Sequence, residues 1–268
     1  LWNPCELTGM PLMANCQSTV FYPPRVLHLL FGLHWGTTLF ILLKLWLCGA
    51  TAYICARGLH LGRHAARFFS VAWMLASYNL IWCNWSLPDV SAWLPLVFLG
   101  VEWILEGRQR AGFYTLVVGG TLLLLAGHPE TAFAMGLGLG VYFVLRLIIA
   151  WRRGSPLWPP VITCAGAWSL VLGLCAAQLL PFIEYLRHSA TFFDRPQENI
   201  MTWLPPSAAA AFWVPRFFGT SADGNYWGDI NSNLYSMLYA GWPVWIGAAF
   251  LVPACLRREA NRPRAAGL

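Results

Sequence analysis

Gly127-His128-Pro129-Glu130 places an imidazole two residues from a carboxylate within a sharp turn. Such a pair can move a proton, or hold a phosphate when the histidine is charged. The same four residues also read as the start of a helix, with Glu130 favourably placed in its first turn. Glu184 is followed three residues later by Arg187, a helical spacing that fits an ion pair as well as a substrate contact. Asp194, Arg195, Glu198 and Asn199 form a compact polar cluster, and Arg187, Arg195 and Arg216 are the cations of the segment 182–235. Phosphate recognition favours arginine, so Arg195 and Arg216 are candidate phosphate ligands. Lipid-headgroup contacts and loop salt bridges are the structural alternative. Lys44 is a lone charge in the middle of an apolar stretch. Such a charge faces a partner or a cavity, and the partner is not readable from the sequence; an acid outside the present chain is one candidate. Glu102 and Glu106 share a helical face and are expected to pair with Arg108 or Arg110. The eight cysteines show no C-x-x-C pair and no metal-ligand spacing, so they read as small apolar residues. No cofactor is identified, and metal involvement stays open.

The elements that would hold these groups are membrane helices. The 268 residues are 58% hydrophobic, 15% aromatic and only 10% charged, with a mean hydropathy of +0.55. A water-facing surface needs about 25% charged residues, which excludes an ordinary soluble domain. The shortage of charge excludes a disordered chain, and the length excludes a disulfide-stapled module. A hydrocarbon core takes about 20 apolar residues in helical form. Seven spans are expected, near residues 33–56, 65–82, 92–105, 112–126, 131–150, 160–181 and 236–255. The fold class is thus all-α and polytopic, a single transmembrane domain over 1–268. It comprises a loop and short interfacial helix (1–32), six spans (33–181), a long loop (182–235), a last span (236–256) and a tail (257–268). Pro24 starts the interfacial helix, Arg25 to Phe31. Gly119-Gly120 and the glycines at 136, 138 and 140 permit close helix packing. Trp82, Trp85, Trp93, Trp103, Trp151, Trp158 and Trp242 read as interfacial belts.

Charge tests the layout independently. Alternate connections place twelve arginines (57, 63, 67, 108, 110, 146, 152, 153, 257, 258, 262 and 264) on one side and only Arg25, Arg187, Arg195 and Arg216 on the other. Cytoplasmic loops collect Lys and Arg, so the twelve mark the cytoplasm. The net charge of +6 therefore reflects anchoring, and nucleic acid is excluded as a partner. The opposite face then holds residues 1–32, the turns at 86–91 and 127–130, and the loop 182–235.

That face carries a resemblance. Asn3-Pro4 with Gly9-Met10-Pro11-Leu12, Ala14-Asn15-Cys16-Gln17-Ser18 and Phe21-Tyr22-Pro23 resembles the signature of YfhO-type bacterial membrane proteins, of the GT-C class of multi-spanning glycosyltransferases. Four further matches follow in order: Gly127-His128-Pro129-Glu130-Thr131; Gln178-Leu179-Leu180-Pro181 with Glu184-Tyr185; Pro196-Gln197-Glu198-Asn199 before Phe217-Phe218-Gly219; and Tyr226-Trp227-Gly228 before Tyr239-Ala240-Gly241. They cover almost the whole chain.

The resemblance implies a transferase that moves a sugar from a polyprenyl-phosphate carrier to an acceptor on the outer face of the bacterial cytoplasmic membrane. It adds weight to His128 and Glu130 as catalytic candidates without assigning either a role. It implies Asn15, Gln17, Glu184, Arg195, Glu198, Asn199 and Arg216 as substrate contacts. GT-C folds place a catalytic carboxylate in the first outer loop, after a first transmembrane helix. The chain opens at Leu1 inside what resembles that loop, with no initiator Met, so a fragment of a longer protein is expected. Glu6, the acid present in this loop, is the substitute candidate although it matches no motif position. Membrane lipid, the lipid-linked donor and other membrane subunits are the expected partners. The alternative is a non-catalytic membrane subunit or scaffold within a larger complex. A transporter rests on Lys44 alone and predicts internal repeats, of which the sequence has none.

Overall fold

A computed structural model describes residues 2–3, 9–189, 205–228, 232–239, 241–247 and 249. The chain divides into two compact units, residues 1–75 with 82–201, and residues 76–81 with 202–268. Apart from a two-residue antiparallel pair, Trp2–Asn3 with Met10–Pro11, the regular structure of the described residues is helical.

The first unit is a bundle built from α1 (Val26–Gly58), α2 (Arg63–Met74), α4 (Leu87–Ser91), α5 (Leu94–Leu105), α6 (Gln109–Leu125), α7 (Pro129–Arg152), α8 (Trp158–Leu174) and α9 (Ala176–Arg187). Helix α3 (Ser77–Ile81) belongs to the second unit. Pro23 and Pro24 open a 3-10 turn that leads into α1, where proline's missing N–H costs nothing. Gly32 then breaks α1 with φ 70° and ψ 179°, a left-handed φ that glycine tolerates. The turn brings Leu27 and His28 so close to Gly36 that a Cβ there would sit 2.7 Å from His28 Cα.

Contacts along the helices fix their directions. Lys44 meets Asp89, Thr51 donates to Ala92 O, and Gly58 abuts Leu99, so α1 and the α4–α5 pair run parallel. Helix α2 returns between them, with Ser70 Oγ donating to Gly49 O. Gly112 packs on Gly100 and Ile104, and Gly119 on Leu96 and Val97, so α6 runs antiparallel to α5. Helix α7 follows α5, through Phe98–Tyr142 and Glu102–Arg146, and α8 follows α6, through Phe113–Gly166 and Gly120–Val171. Six passes therefore alternate in direction. Residues 19–25, 83–89, 127–130 and 178–188 lie at one end, and Arg57, Arg108, Arg110, Arg152 and Arg153 at the other.

Among the described residues, three segments are long and apolar enough to cross a membrane: Pro23–Gly58, Leu87–Leu105 and Pro129–Arg152. The pair α8–α9, bent by 76°, makes up to four. Part of the expected last span (236–256) and all of the tail (257–268) lie outside the described residues. The protein is an all-helical membrane protein, and exposed Leu29, Leu33, Trp35, Leu42, Trp46, Phe133 and Leu137 are lipid-facing in that setting. The span expected from residue 92 begins at Leu87, because α4 continues into α5 across Ala92–Trp93.

The seam between α5 and α6 depends on missing side chains. A Cβ on Gly100 would lie 2.7 Å from Leu116 N, and one on Gly112 2.7 Å from Gly100 O. Small residues let backbones approach in this way. Gly119 and Gly120 pack closely as expected, whereas Gly136, Gly138 and Gly140 of α7 have nothing within 4 Å. They open instead on apolar grooves either side of α7.

The second unit contains α3, α10 (Ala209–Trp213) and α11 (Ser232–Ser236) around Ala208, Ala211, Phe218 and Tyr235. Phe218 stacks on Tyr235 with centroids 4.0 Å apart, and Trp213 on Trp245 at 4.6 Å.

Candidate functional site

At the end of the bundle that carries residues 127–130, the segment 11–25 lies across the helix termini. Asn15 starts it by accepting the Gln17 N–H on its side chain at 3.2 Å, capping a 3-10 turn over Cys16–Ser18. That turn rests on Gly127, which has φ 85° and no space for a side chain: a Cβ would sit 2.2 Å from Thr19 Cγ2 and 2.3 Å from Cys16 O. Glycine is required there twice over, by conformation and by contact. Cys16 is sealed against Gln178 of α9, whose Nε2 donates to Leu124 O at 3.2 Å. Burial pushes the Cys16 thiol up to about 11, Gln178 pulling slightly the other way, so it is an inert thiol.

His128 caps α7 by accepting the Thr131 N–H on Nδ1 at 3.2 Å. Its Nδ1 is therefore unprotonated, and the ring proton of the neutral form sits on Nε2. Burial lowers its pKa, with Glu130 opposing, so the ring is neutral at pH 7. In that state it donates through Nε2 and has no free nitrogen with which to accept a proton. Glu130, exposed in the first turn of α7, is the group of the pair able to take one.

Glu184 is exposed on α9 and lines a cleft of about 360 Å³ with Met13, Ala14, Pro181, Tyr185 and His188. It forms no ion pair with Arg187 among the described residues; instead its backbone carbonyl lies 2.9 Å from His188 Nδ1. Asn15, Gln17, His128, Glu130 and Glu184 are thus gathered at one end of the first unit.

Lys44 lies beneath the same segment. Its Nζ is 3.3 Å from Asp89 Oδ2, an ion-pair distance, and donates to Cys83 O at 2.9 Å and Trp85 O at 2.7 Å. The partner expected outside the chain is Asp89. A span starting at residue 92 places Asp89 in an outer turn; the helix starting at Leu87 places it inside the span. Phe40 roofs the pair, 5.0 Å from Lys44 Nζ. Tyr22 meets Phe40 edge-on and its hydroxyl accepts Trp93 Nε1 at 2.9 Å. Trp93 is consequently buried at 8% exposure and is no interfacial anchor. Burial and the nearby Asp89 raise the Tyr22 phenol, which stays protonated.

At the opposite end Glu102 pairs with Arg146, which also donates to Tyr142 Oη at 2.7 Å. The expected pairing with Arg108 fails because that guanidinium stacks on Trp103, 4.1 Å from the ring centroid. In the second unit Arg216 lies 3.5 Å from Asp223. Both line a cleft of about 500 Å³ with Thr220, Tyr226 and Asn233. Glu6, Arg195, Glu198 and Asn199 lie outside the described residues. No group of three or more His, Cys, Asp or Glu among the described residues is arranged to hold a metal.

Asp89, Tyr22 and Thr19 are the site residues that sequence reasoning missed. The rule that singled out Lys44 also applies to an aspartate two residues inside an apolar span, once the span start is placed at Leu87.

The family described as bacterial membrane protein YfhO matches residues 20–240 of the chain. No curated protein and no solved structure matches it.

Proposed function

The chain belongs to the YfhO family of bacterial membrane proteins, and from that premise we propose that it transfers a sugar from a polyprenyl-phosphate donor on the outer face of the bacterial cytoplasmic membrane. In this reading it crosses the membrane about seven times with its Arg-rich connections in the cytoplasm. The end bearing residues 11–25 and 127–130 then faces outward. The supporting observation is the docking of the segment 15–19 onto the turn 127–130, which draws Asn15, Gln17, His128 and Glu130 to one end of the bundle.

Transfer requires an acceptor hydroxyl to attack the anomeric carbon as the bond to the carrier phosphate breaks. Glu130 takes the hydroxyl proton, and the His128 Nε2–H donates to an oxygen on which charge develops. Glu184, Asn15 and Gln17 are the candidate substrate contacts of the first unit, and Arg216 is a candidate phosphate ligand in the second. Arg195, Glu198 and Asn199, outside the described residues, are further candidate substrate contacts, and Glu6 is the second candidate base. Membrane lipid surrounds the bundle.

A second reading, a non-catalytic membrane subunit or scaffold, is favoured by the caps: His128 and Asn15 both engage side-chain atoms with the backbone. Proteoliposomes supplied with a radiolabelled sugar-polyprenyl phosphate and an acceptor separate the two. Transfer that falls about a hundredfold in Glu130→Gln, the order expected for loss of a general base, supports the enzyme with Glu130 as its base. Full activity in Glu130→Gln removes that role, and absence of transfer by the native protein leaves the scaffold.

A further inference from the structure

Arg25, His28 and Lys44 all pack on one aromatic ring, that of Phe40. The Arg25 guanidinium carbon is 4.4 Å from the ring centroid, Lys44 Nζ 5.0 Å, and the His28 ring centroid 5.3 Å. Around this ring stand the Arg25 guanidinium, the Lys44 amine and one carboxylate, Asp89, which is paired with Lys44. Arg25 has no acid within ion-pair distance among the described residues, so the cluster carries one uncompensated positive charge.

The guanidinium is also held in place. Its Nε donates to Thr19 Oγ1 at 2.6 Å, Thr19 itself is fully buried, and the Phe40 face fixes the plane of the fork. The Nε–H bond to Thr19 is the side-chain hydrogen bond that Arg25 makes among the described residues, and Nη1 and Nη2 are not used in it. A guanidinium whose plane is preset and whose fork is unused matches the oxygens of a phosphate, and it loses little rotamer freedom on binding one. Arg25 sits at the very start of the segment Pro23–Gly58, which is long and apolar enough to cross a membrane.

We propose that Arg25 anchors the phosphate of a membrane lipid at this end of the bundle, with Thr19 and Phe40 as positioning residues. A phosphodiester brings one negative charge, which balances the cluster. The identification of that lipid as the polyprenyl-phosphate donor rests on the function proposed above; the phosphate anchor itself does not.

The test is titration of the full chain in detergent by native mass spectrometry with three probes: a polyprenyl phosphate, phosphatidylglycerol and inorganic phosphate. Arg25→Gln is expected to weaken lipid binding about tenfold, Arg25→Lys to restore it only in part, and Arg110→Gln at the opposite end to leave it unchanged. Thr19→Val keeps the charge and removes only the hydroxyl that orients it. A several-fold loss of affinity at unchanged melting temperature therefore marks positioning, and this variant carries the test if Arg25→Gln fails to fold. Wild-type lipid affinity in Arg25→Gln or in Thr19→Val overturns the assignment. Inorganic phosphate binding as tightly as either lipid overturns a lipid ligand. Arg25-dependent binding of phosphatidylglycerol without polyprenyl phosphate upholds the anchor and refutes the donor proposed above.

Discussion

The bundle carries an ion pair near each end, and water reaches them differently. The side chains of Lys44 and Asp89 are 2% and 0% exposed, those of Arg146 and Glu102 35% and 5%. The first is closed on every side, by two backbone carbonyls, by Phe40 and by the segment folded over it. The second has one member that water still solvates. Two pairs alike in chemistry thus differ in what happens when one partner is lost. Removing either member of a closed pair strands a charge, whereas in the half-open pair only the loss of Arg146 does so. The end with the closed pair is also the end that collects the motif residues.

The largest effect is expected at the closed pair. Asp89→Leu or Lys44→Met alone should cost about 3–5 kcal/mol, because each leaves an uncompensated buried charge, while the double variant should return to within about 1–2 kcal/mol of the native protein. Thermal unfolding in detergent reads this, and additive single losses would remove the distinction between the ends. Next comes the seam that holds α5 between the two pairs. Gly112→Leu drives a side chain into Gly100 O and Ile104, an overpacking of about 1–3 kcal/mol or more. Gly136→Leu, where a Cβ meets nothing, should leave the melting temperature unmoved.

At the half-open pair an asymmetry is expected. Arg146→Ala should cost about 2 kcal/mol, since it strands buried Glu102, and Glu102→Gln about 1 kcal/mol, since water receives Arg146. Equal costs would mean that solvent does not reach the arginine. Arg216→Ala removes a pair whose side chains are 71% and 53% exposed, and about 0.5 kcal/mol or less is expected, vanishing in high salt. The smallest effect is a pH dependence at His128. Burial lowers its folded pKa below the ordinary 6.5, so the unfolded chain binds the proton more readily. The contribution is full above about pH 6.5 and is lost as the pH falls towards the folded pKa. A melting-temperature profile that bends below pH 6.5 and straightens in His128→Asn, which preserves the cap, checks it.

The difference between the two pairs also marks where the sequence is legible. Lys44 stands out because one charge interrupts an apolar run, and the break at Gly32 is legible from Pro24 and the glycine that follow one another across a helical length. The partner Asp89 was hidden by a boundary. Five residues of α4, punctuated by Pro88, look like a loop until α5 is seen to continue them. The pairing of Glu102 across 44 positions was hidden for another reason. Local spacing offered Arg108, and nothing along one helix tells that Trp103 already occupies it. The candidate site is similar: its motif residues are readable one by one, but that Gly127 must be bare to receive Cys16 and Thr19 is a long-range fact.

The separation of Lys44 from Asp89 has a consequence for biosynthesis. A lysine at the centre of a helix costs about 2.5–3.5 kcal/mol to insert, and its counter-charge is encoded 45 residues later. At about 5–20 residues per second, roughly 2–9 s pass between the emergence of the two from the ribosome. For that interval the apolar remainder of α1 has to offset that cost alone, so a longer stay of α1 at the insertion machinery is expected. Slowing translation between codons 44 and 89 should lengthen the time for which α1 crosslinks to the translocon, and Lys44→Met should release it early.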